Sequence, residues 1–259
     1  MTRREIPPFR ADHVGSLLRT DALHSARTRF ANGEIAATSC APRRTAASTT
    51  SSPCSVTSAC RRRRTGSTDA RPGTWTSSTS SPASAAPTST TPGTGTSSRP
   101  KGGDPQHQHE QYIGTINDAL RDRPDDTGVT THLCRGNYRS SWAAEGSYDF
   151  VAEAVFSRLD VDAFCLEYDD EHSAGFEPLR FVPEDKLVVL GLVTTKAPKL
   201  EDKDELKRIG EAATYVPLDQ LCLSPQCGFS STVELNALTV DEEIARLRLV
   251  VETAREVWS

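Results

Sequence analysis

Residues 37–100 contain no Leu, Ile, Met, Phe or Tyr, and no Lys, Glu, Gln, Asn or His. Val56 and Trp75 are the only larger apolar side chains there, and Asp69 is the only acid. Such a stretch cannot bury enough apolar surface to offset the roughly 1–2 kcal/mol per residue that ordering a backbone costs. As written it is expected to be disordered. Any fold must therefore be built from residues 1–36 and 101–259, which read as ordinary globular protein.

A Ser/Thr/Pro-rich linker is one account of residues 37–100. Against it stand four consecutive arginines at 61–64, the cysteines 40, 54 and 60, and a length far beyond that of ordinary loops. The sharper account is GC-rich DNA translated out of frame, which yields mainly Ala, Arg, Pro, Gly, Ser, Thr and Cys. The genetic code permits a check. Reading the third base of each codon with the next two, residues 72–76 (PGTWT) can encode Trp-His-Met-Asp. That is a run that looks like protein where the printed one does not.

The net charge of −5 and pI near 5.7 give no reason to expect nucleic acid or an anionic membrane as partner. No apolar run approaches the roughly 18 residues of a membrane span, and the N-terminus lacks a signal-peptide apolar core. A cytoplasmic location is expected. In that reducing compartment the seven cysteines are better read as thiols or metal ligands than as disulfides.

After residue 100 strand and helix patterns alternate. Residues 127–134, 161–168, 187–193 and 219–223 read as strands; 146–159 and 202–213 read as helices. Thr239, with Glu242 three residues on, predicts a capping box opening a last helix that runs to Trp258. One more strand candidate lies near residues 11–16. Such alternation argues for parallel βαβ units, hence an α/β fold. A complete (β/α)8 TIM barrel takes about 250 residues. The readable parts fall short, so an incomplete barrel is expected. Residues 1–36 would give its first strand and helix, 37–100 the abnormal segment, and 101–259 its C-terminal part.

Three strand ends share one chemical theme. His132 and Cys134 are two apart, so on a strand their side chains point the same way. Glu167 lies near the C-terminal end of the next strand, and Cys227 follows a later one in the turn 224–228 (SPQCG). In a parallel barrel these ends gather at the rim where active sites sit. An imidazole, two thiolates and a carboxylate make a plausible tetrahedral zinc set. Cys165 and Cys222, by contrast, read as small core residues. His24, His107 and His109 read as solvated, and residues 106–111 (QHQHEQ) as a polar helix start.

The motifs 132–134 (HLC), 165–167 (CLE) and 224–228 (SPQCG), with 12–16 (DHVGS) near the start, resemble those of the cobalamin-independent methionine synthases. The likeness covers residues 6–36 and roughly 103–259, and fits the short single-barrel members. It implies a zinc ion (Zn2+) held by His132, Cys134, Glu167 and Cys227, with Glu167 exchanging when the substrate sulfur binds. It also implies that Val14, Gly15 and Ser16 orient homocysteine, and that methyltetrahydrofolate, usually polyglutamylated, donates the methyl group. Where the long enzymes carry a histidine thought to protonate the departing folate, residues 194–198 read TTKAP, and Lys196 becomes the candidate catalytic cation or proton donor. Two alternatives stay open: a remnant that binds zinc without catalysis, and a related zinc thiol alkyltransferase with another donor. The sequence leaves the oligomeric state open.

Overall fold

The structure, a computed structural model, is described over residues 10–36, 105–124, 127–141, 144, 146–169, 173–232 and 236–259. The expectations for residues 37–100 lie outside that set. Four strands, β1 (Thr130–Leu133), β2 (Ala163–Glu167), β3 (Leu187–Val193) and β4 (Leu221–Pro225), form one sheet in chain order. Every neighbouring pair is parallel. Among the described residues five helices accompany them: α1 (Asp21–Ala31), α2 (Pro105–Leu120), α3 (Asp149–Arg158), α4 (Arg208–Ala212) and α5 (Val240–Val257).

Ala11 forms a parallel bridge to Leu223 at the free edge of β4. The Asp12 N–H donates to the Leu223 carbonyl at 2.7 Å, and the Leu223 N–H donates to the Arg10 carbonyl at 2.7 Å. The earliest segment thus lies beside the last strand while the strands between run in sequence order, the neighbour relation of a wound barrel. Among the described residues the barrel is incomplete, because no strand lies against the outer edge of β1.

The sequence explains which strands lie deepest. All five residues of β2 and of β4 are buried, as are all but the first of β3, matching their near-continuous apolar runs. β1, at the edge, is only partly covered. Phe156 of α3 packs on Phe164 of β2 with ring centroids 4.9 Å apart, both fully buried. The capping box at Thr239 is present: its side chain accepts from the Glu242 N–H, and the Glu242 carboxylate accepts from the Thr239 N–H at 2.7 Å.

Some boundaries differ from the sequence reading. Residues 11–16 give a bridge rather than a strand, because Gly15 sits at φ +77° and turns the chain out of extended conformation. The helix expected over 202–213 is a 3₁₀ turn, Glu205–Lys207, running into the short α4. The last strand begins at Leu221, after a 3₁₀ turn Leu218–Gln220 set by Pro217. No helix of the described residues is long and apolar enough to cross a membrane.

Gly191 marks where the sheet is tightest. A Cβ there would stand 2.7 Å from Gln226 Cα and 2.8 Å from the Leu166 carbonyl oxygen, both backbone atoms that cannot swing aside. Gly191→Ala should cost about 1–3 kcal/mol by overpacking. Gly210, exposed in α4 with open space around its Cβ direction, is the control. Gly210→Ala should stabilise by up to about 1 kcal/mol. Urea midpoints of the two variants read the difference, and a Gly191→Ala chain as stable as the parent would contradict this packing.

Candidate metal centre

Parallel register delivers the four candidate ligands to one edge. His132 pairs with Cys165 across β1 and β2, Glu167 pairs with Gly191, and Gly191 pairs with Ser224, three residues before Cys227. The imidazole nitrogen, two sulfurs and carboxylate oxygen of His132, Cys134, Glu167 and Cys227 all lie within 4.8 Å of one another. Glu167 and Cys227 are buried, His132 is half-buried, and Cys134 is exposed, which leaves one side of the cluster open.

The inner contacts orient each donor. The His132 Nδ1–H donates to the Cys165 carbonyl at 3.2 Å, which turns Nε2 toward the cluster. Nε2 lies 3.4 Å from Glu167 Oε1, yet each of those buried atoms lacks a hydrogen-bond partner. The two sulfurs are 3.9 Å apart. The Gly136 N–H points at Cys134 Sγ (3.2 Å), and the Ser231 hydroxyl lies 3.4 Å from Cys227 Sγ. The second carboxylate oxygen, Glu167 Oε2, accepts the Arg135 N–H at 3.2 Å.

Charge is distributed accordingly. The Cys134 thiol beside it, then the nearby His132 and Ser231, outweigh burial and hold the Cys227 thiol down to about 4. The same contact, with burial, pushes the Cys134 thiol up, so the shared proton sits on Cys134. Burial opposes the His132 cation, but the Cys227 thiolate and Glu167 carboxylate prevail and raise it to about 9. Burial likewise opposes the Glu167 anion, and His132, Lys196 and Cys134 overcome it, lowering its pKa. Two thiols, an imidazole and a carboxylate, with orphaned buried atoms on two of them, fit a tetrahedral Zn2+.

Lys196, the candidate cation or proton donor after β3, has its side chain largely covered, 8% exposed. Its Nζ lies 3.7 Å from Glu167 Oε2 and 3.6 Å from Asp169 Oδ2. Val14, Gly15 and Ser16 lie along the Cys227 turn: the Phe229 N–H donates to the Ser16 carbonyl at 2.8 Å. A Cβ on Gly15 would come within 2.8 Å of Gly228 Cα, so two glycine backbones meet there. His13 stacks on Phe229 with centroids 5.9 Å apart and 9° between planes. Cys165 and Cys222 are buried with Val189, and Val14 packs on them. His107 is exposed, whereas His24 and His109 are half-buried, His109 edge-on to Phe150.

Sequence reasoning missed Arg135 and Tyr148. The Arg135 guanidinium donates to the Glu167 carbonyl at 2.7 Å and lies 4.3 Å over the Tyr148 ring. The Tyr148 hydroxyl donates to the Leu133 carbonyl at 3.1 Å and accepts the Glu167 N–H at 2.9 Å. It thereby bridges the ends of β1 and β2. The only hint was an arginine immediately after a candidate-ligand cysteine. Arg246 likewise carries no signal in the sequence beyond its place in a helix.

Residues 116–256 match the family model described as the catalytic domain of cobalamin-independent synthase. The chain is 54% identical to the uncharacterized protein YxjH of Bacillus subtilis (strain 168) over 162 residues, which are 62% of this chain and 43% of that protein. It is 24% identical over 136 residues to a 5-methyltetrahydropteroyltriglutamate–homocysteine methyltransferase of Bacillus cereus (strain AH820), 52% of this chain and 16% of that one. A solved structure of a candidate vitamin-B12-independent methionine synthase from Listeria monocytogenes is 36% identical, with a TM-score of 0.48, over 62% of this chain and 44% of that one. The chain therefore spans less than half the length of these curated relatives. With the family match covering over half of its residues, the chain belongs to the cobalamin-independent synthase family.

Proposed function

We propose that this site performs methyl transfer to a zinc-bound thiol, homocysteine giving methionine, with polyglutamylated methyltetrahydrofolate as the donor, in the cytoplasm. The observation that carries the reading is the cluster of two sulfurs, an imidazole nitrogen and a carboxylate oxygen within 4.8 Å, two of them with orphaned atoms. His132, Cys134, Glu167 and Cys227 would hold the ion. A zinc ion so held lowers the pKa of a coordinated thiol, which then reacts as thiolate. Transfer forms the sulfur–methyl bond as the donor's nitrogen–methyl bond breaks, and the released nitrogen takes a proton.

The chain's own residues would divide the remaining work. Val14, Gly15 and Ser16 present main-chain groups beside the Cys227 turn and would orient the substrate's amino-acid end. Arg135 and Tyr148 hold the Glu167 main chain. Lys196 supplies a cation beside the carboxylate. A small-molecule thiol is the expected partner.

A second reading, zinc binding without turnover, is favoured by one observation: the outer edge of β1 has no strand partner among the described residues. An open edge exposes unpaired backbone and invites association. We assign residues 1–36 and 101–259 to one barrel interrupted by an out-of-frame segment at 37–100. Re-reading the gene across that segment tests this. An inserted or missing base should appear, and the repaired frame should supply alternating strand and helix patterns. A confirmed printed sequence favours the non-catalytic reading. Assay of the repaired chain with methyltetrahydrofolate and with other methyl donors separates methionine synthesis from a related thiol alkylation.

Two measurements address the metal. Cys134→Ser or Cys227→Ser should weaken Zn2+ binding by more than the roughly 10–100-fold that loss of an outer-shell partner costs. Undiminished zinc content in both variants by elemental analysis would refute the ligand set. The second concerns pH. With His132 raised to about 9 and Cys134 held as the thiol, the metal-free cluster carries two protons that Zn2+ must expel near neutrality. Affinity should therefore rise with pH, by up to roughly 100-fold per unit, until His132 titrates, and fall as pH drops. Calorimetry in buffers of different ionisation enthalpy counts the protons; release of none would contradict this charge distribution.

A further inference from the structure

Arg246, on α5, is fully buried, and its guanidinium reaches across to the turn after β3. Nε donates to the Thr194 carbonyl at 2.9 Å, and Nη2 donates to the Lys199 carbonyl at 2.9 Å and to that of Ala197. Nη1 donates to the Glu242 carbonyl of its own helix at 3.1 Å. One side chain therefore gathers carbonyls from both ends and the middle of turn 194–199. Other groups brace the same turn. The Thr194 N–H donates to Glu201 Oε1 at 2.7 Å. The Asn236 amide donates to the Thr195 carbonyl at 2.9 Å. The Thr195 hydroxyl accepts from the Asn137 amide and donates to Gln226 Oε1, each at 3.0 Å. A turn tied from that many elements holds its central side chain in one place, and that side chain is Lys196.

The ion pairs of Lys196 with Glu167 and Asp169 are not by themselves evidence of a stabilising role. Buried ion pairs are often no more stabilising than apolar replacements, because both partners lose their hydration. The position of Lys196 is chemically specific instead. Glu167 divides its two oxygens: Oε1 faces His132 Nε2 and the cluster, while Oε2 faces Lys196 Nζ and the Arg135 N–H. A carboxylate that left the cluster with no cation nearby would be a buried, unpaired charge. Here it has a second seat already built.

We propose that Arg246 is a positioning residue that fixes turn 194–199 so that Lys196 forms this second seat, letting the Glu167 carboxylate leave the metal when a thiolate takes its place. The proposal rests on the zinc–thiol reading above and gives Lys196 a role other than proton donation. In the exchange the metal–oxygen bond to Glu167 breaks and a metal–sulfur bond forms. The thiol proton goes to solvent, and Glu167 remains ionised beside Lys196.

The test uses the full chain loaded with Co2+, whose sulfur charge-transfer absorption reports thiol binding, titrated with homocysteine. Lys196→Met should hold Co2+ at least as tightly as the parent yet bind homocysteine at least about tenfold more weakly, the scale of a lost outer-shell partner. Lys196→Arg should restore most of that loss. Arg246→Gln should weaken thiol binding in the same direction, and the double variant should be no worse than Lys196→Met alone. Should Arg246→Gln not yield soluble chain, Arg246→Lys keeps the charge but loses the planar fork, and the same non-additivity is expected of it. Thiol affinity within twofold of the parent in Lys196→Met overturns the second seat. Additive losses in the double variant overturn the positioning role of Arg246. A parent chain that takes up Co2+ but no thiol overturns the proposal while leaving the metal ligands standing; one that takes up no Co2+ overturns the zinc reading and this proposal together.

Discussion

Parallel hydrogen bonding among four successive strands is the constraint on which the site depends. Because β1 to β4 run the same way and in chain order, every strand's C-terminal end comes to one edge. Residues far apart in sequence, such as Cys134 and Cys227, then bring their sulfurs to 3.9 Å. Were one of these strands antiparallel, its C-terminal residue would stand at the opposite edge. The Ala11–Leu223 bridge extends the same logic across the chain, laying Gly15 against Gly228. Only glycine allows that approach, since a Cβ on either residue would overlap the other segment's backbone.

Burying charge at this edge would be prohibitive without compensation. Glu167 is almost fully buried, and desolvation alone would push its proton affinity up. Opposite charges on His132 and Lys196 reverse that, so the carboxylate stays ionised. The same balance appears at Cys227, where the nearby Cys134, His132 and Ser231 outweigh burial and keep a thiolate. The site is thus prepared with anions whose positive partners are either protons that a metal can expel or fixed cations that it cannot. Lys196 belongs to the second kind, and Arg246 fixes the turn that carries it.

Much of this was legible in the sequence because it depends on local pattern. The apolar runs 187–193 and 161–168 predict strands whatever the packing, and Thr239 with Glu242 predicts a helix start from hydrogen-bonding geometry alone. His132 and Cys134, two apart on a strand, had to point the same way. The boundary errors have local causes too: a positive φ at Gly15 and a proline before Leu218 shorten what periodicity alone would extend.

The sequence by itself determined the alternation of strand and helix, the identity of four metal-ligand candidates and the family likeness, because each resides in residue type and short-range spacing. Tertiary structure alone decided that the four donors converge within 4.8 Å, that the Lys196 side chain is largely covered between Glu167 and Asp169, and that Arg135, Tyr148 and Arg246 serve the site. The physical reason is that desolvation, ion pairing and hydrogen bonds to main-chain carbonyls depend on distances between segments remote in the chain. No periodicity in a single strand or helix encodes those distances.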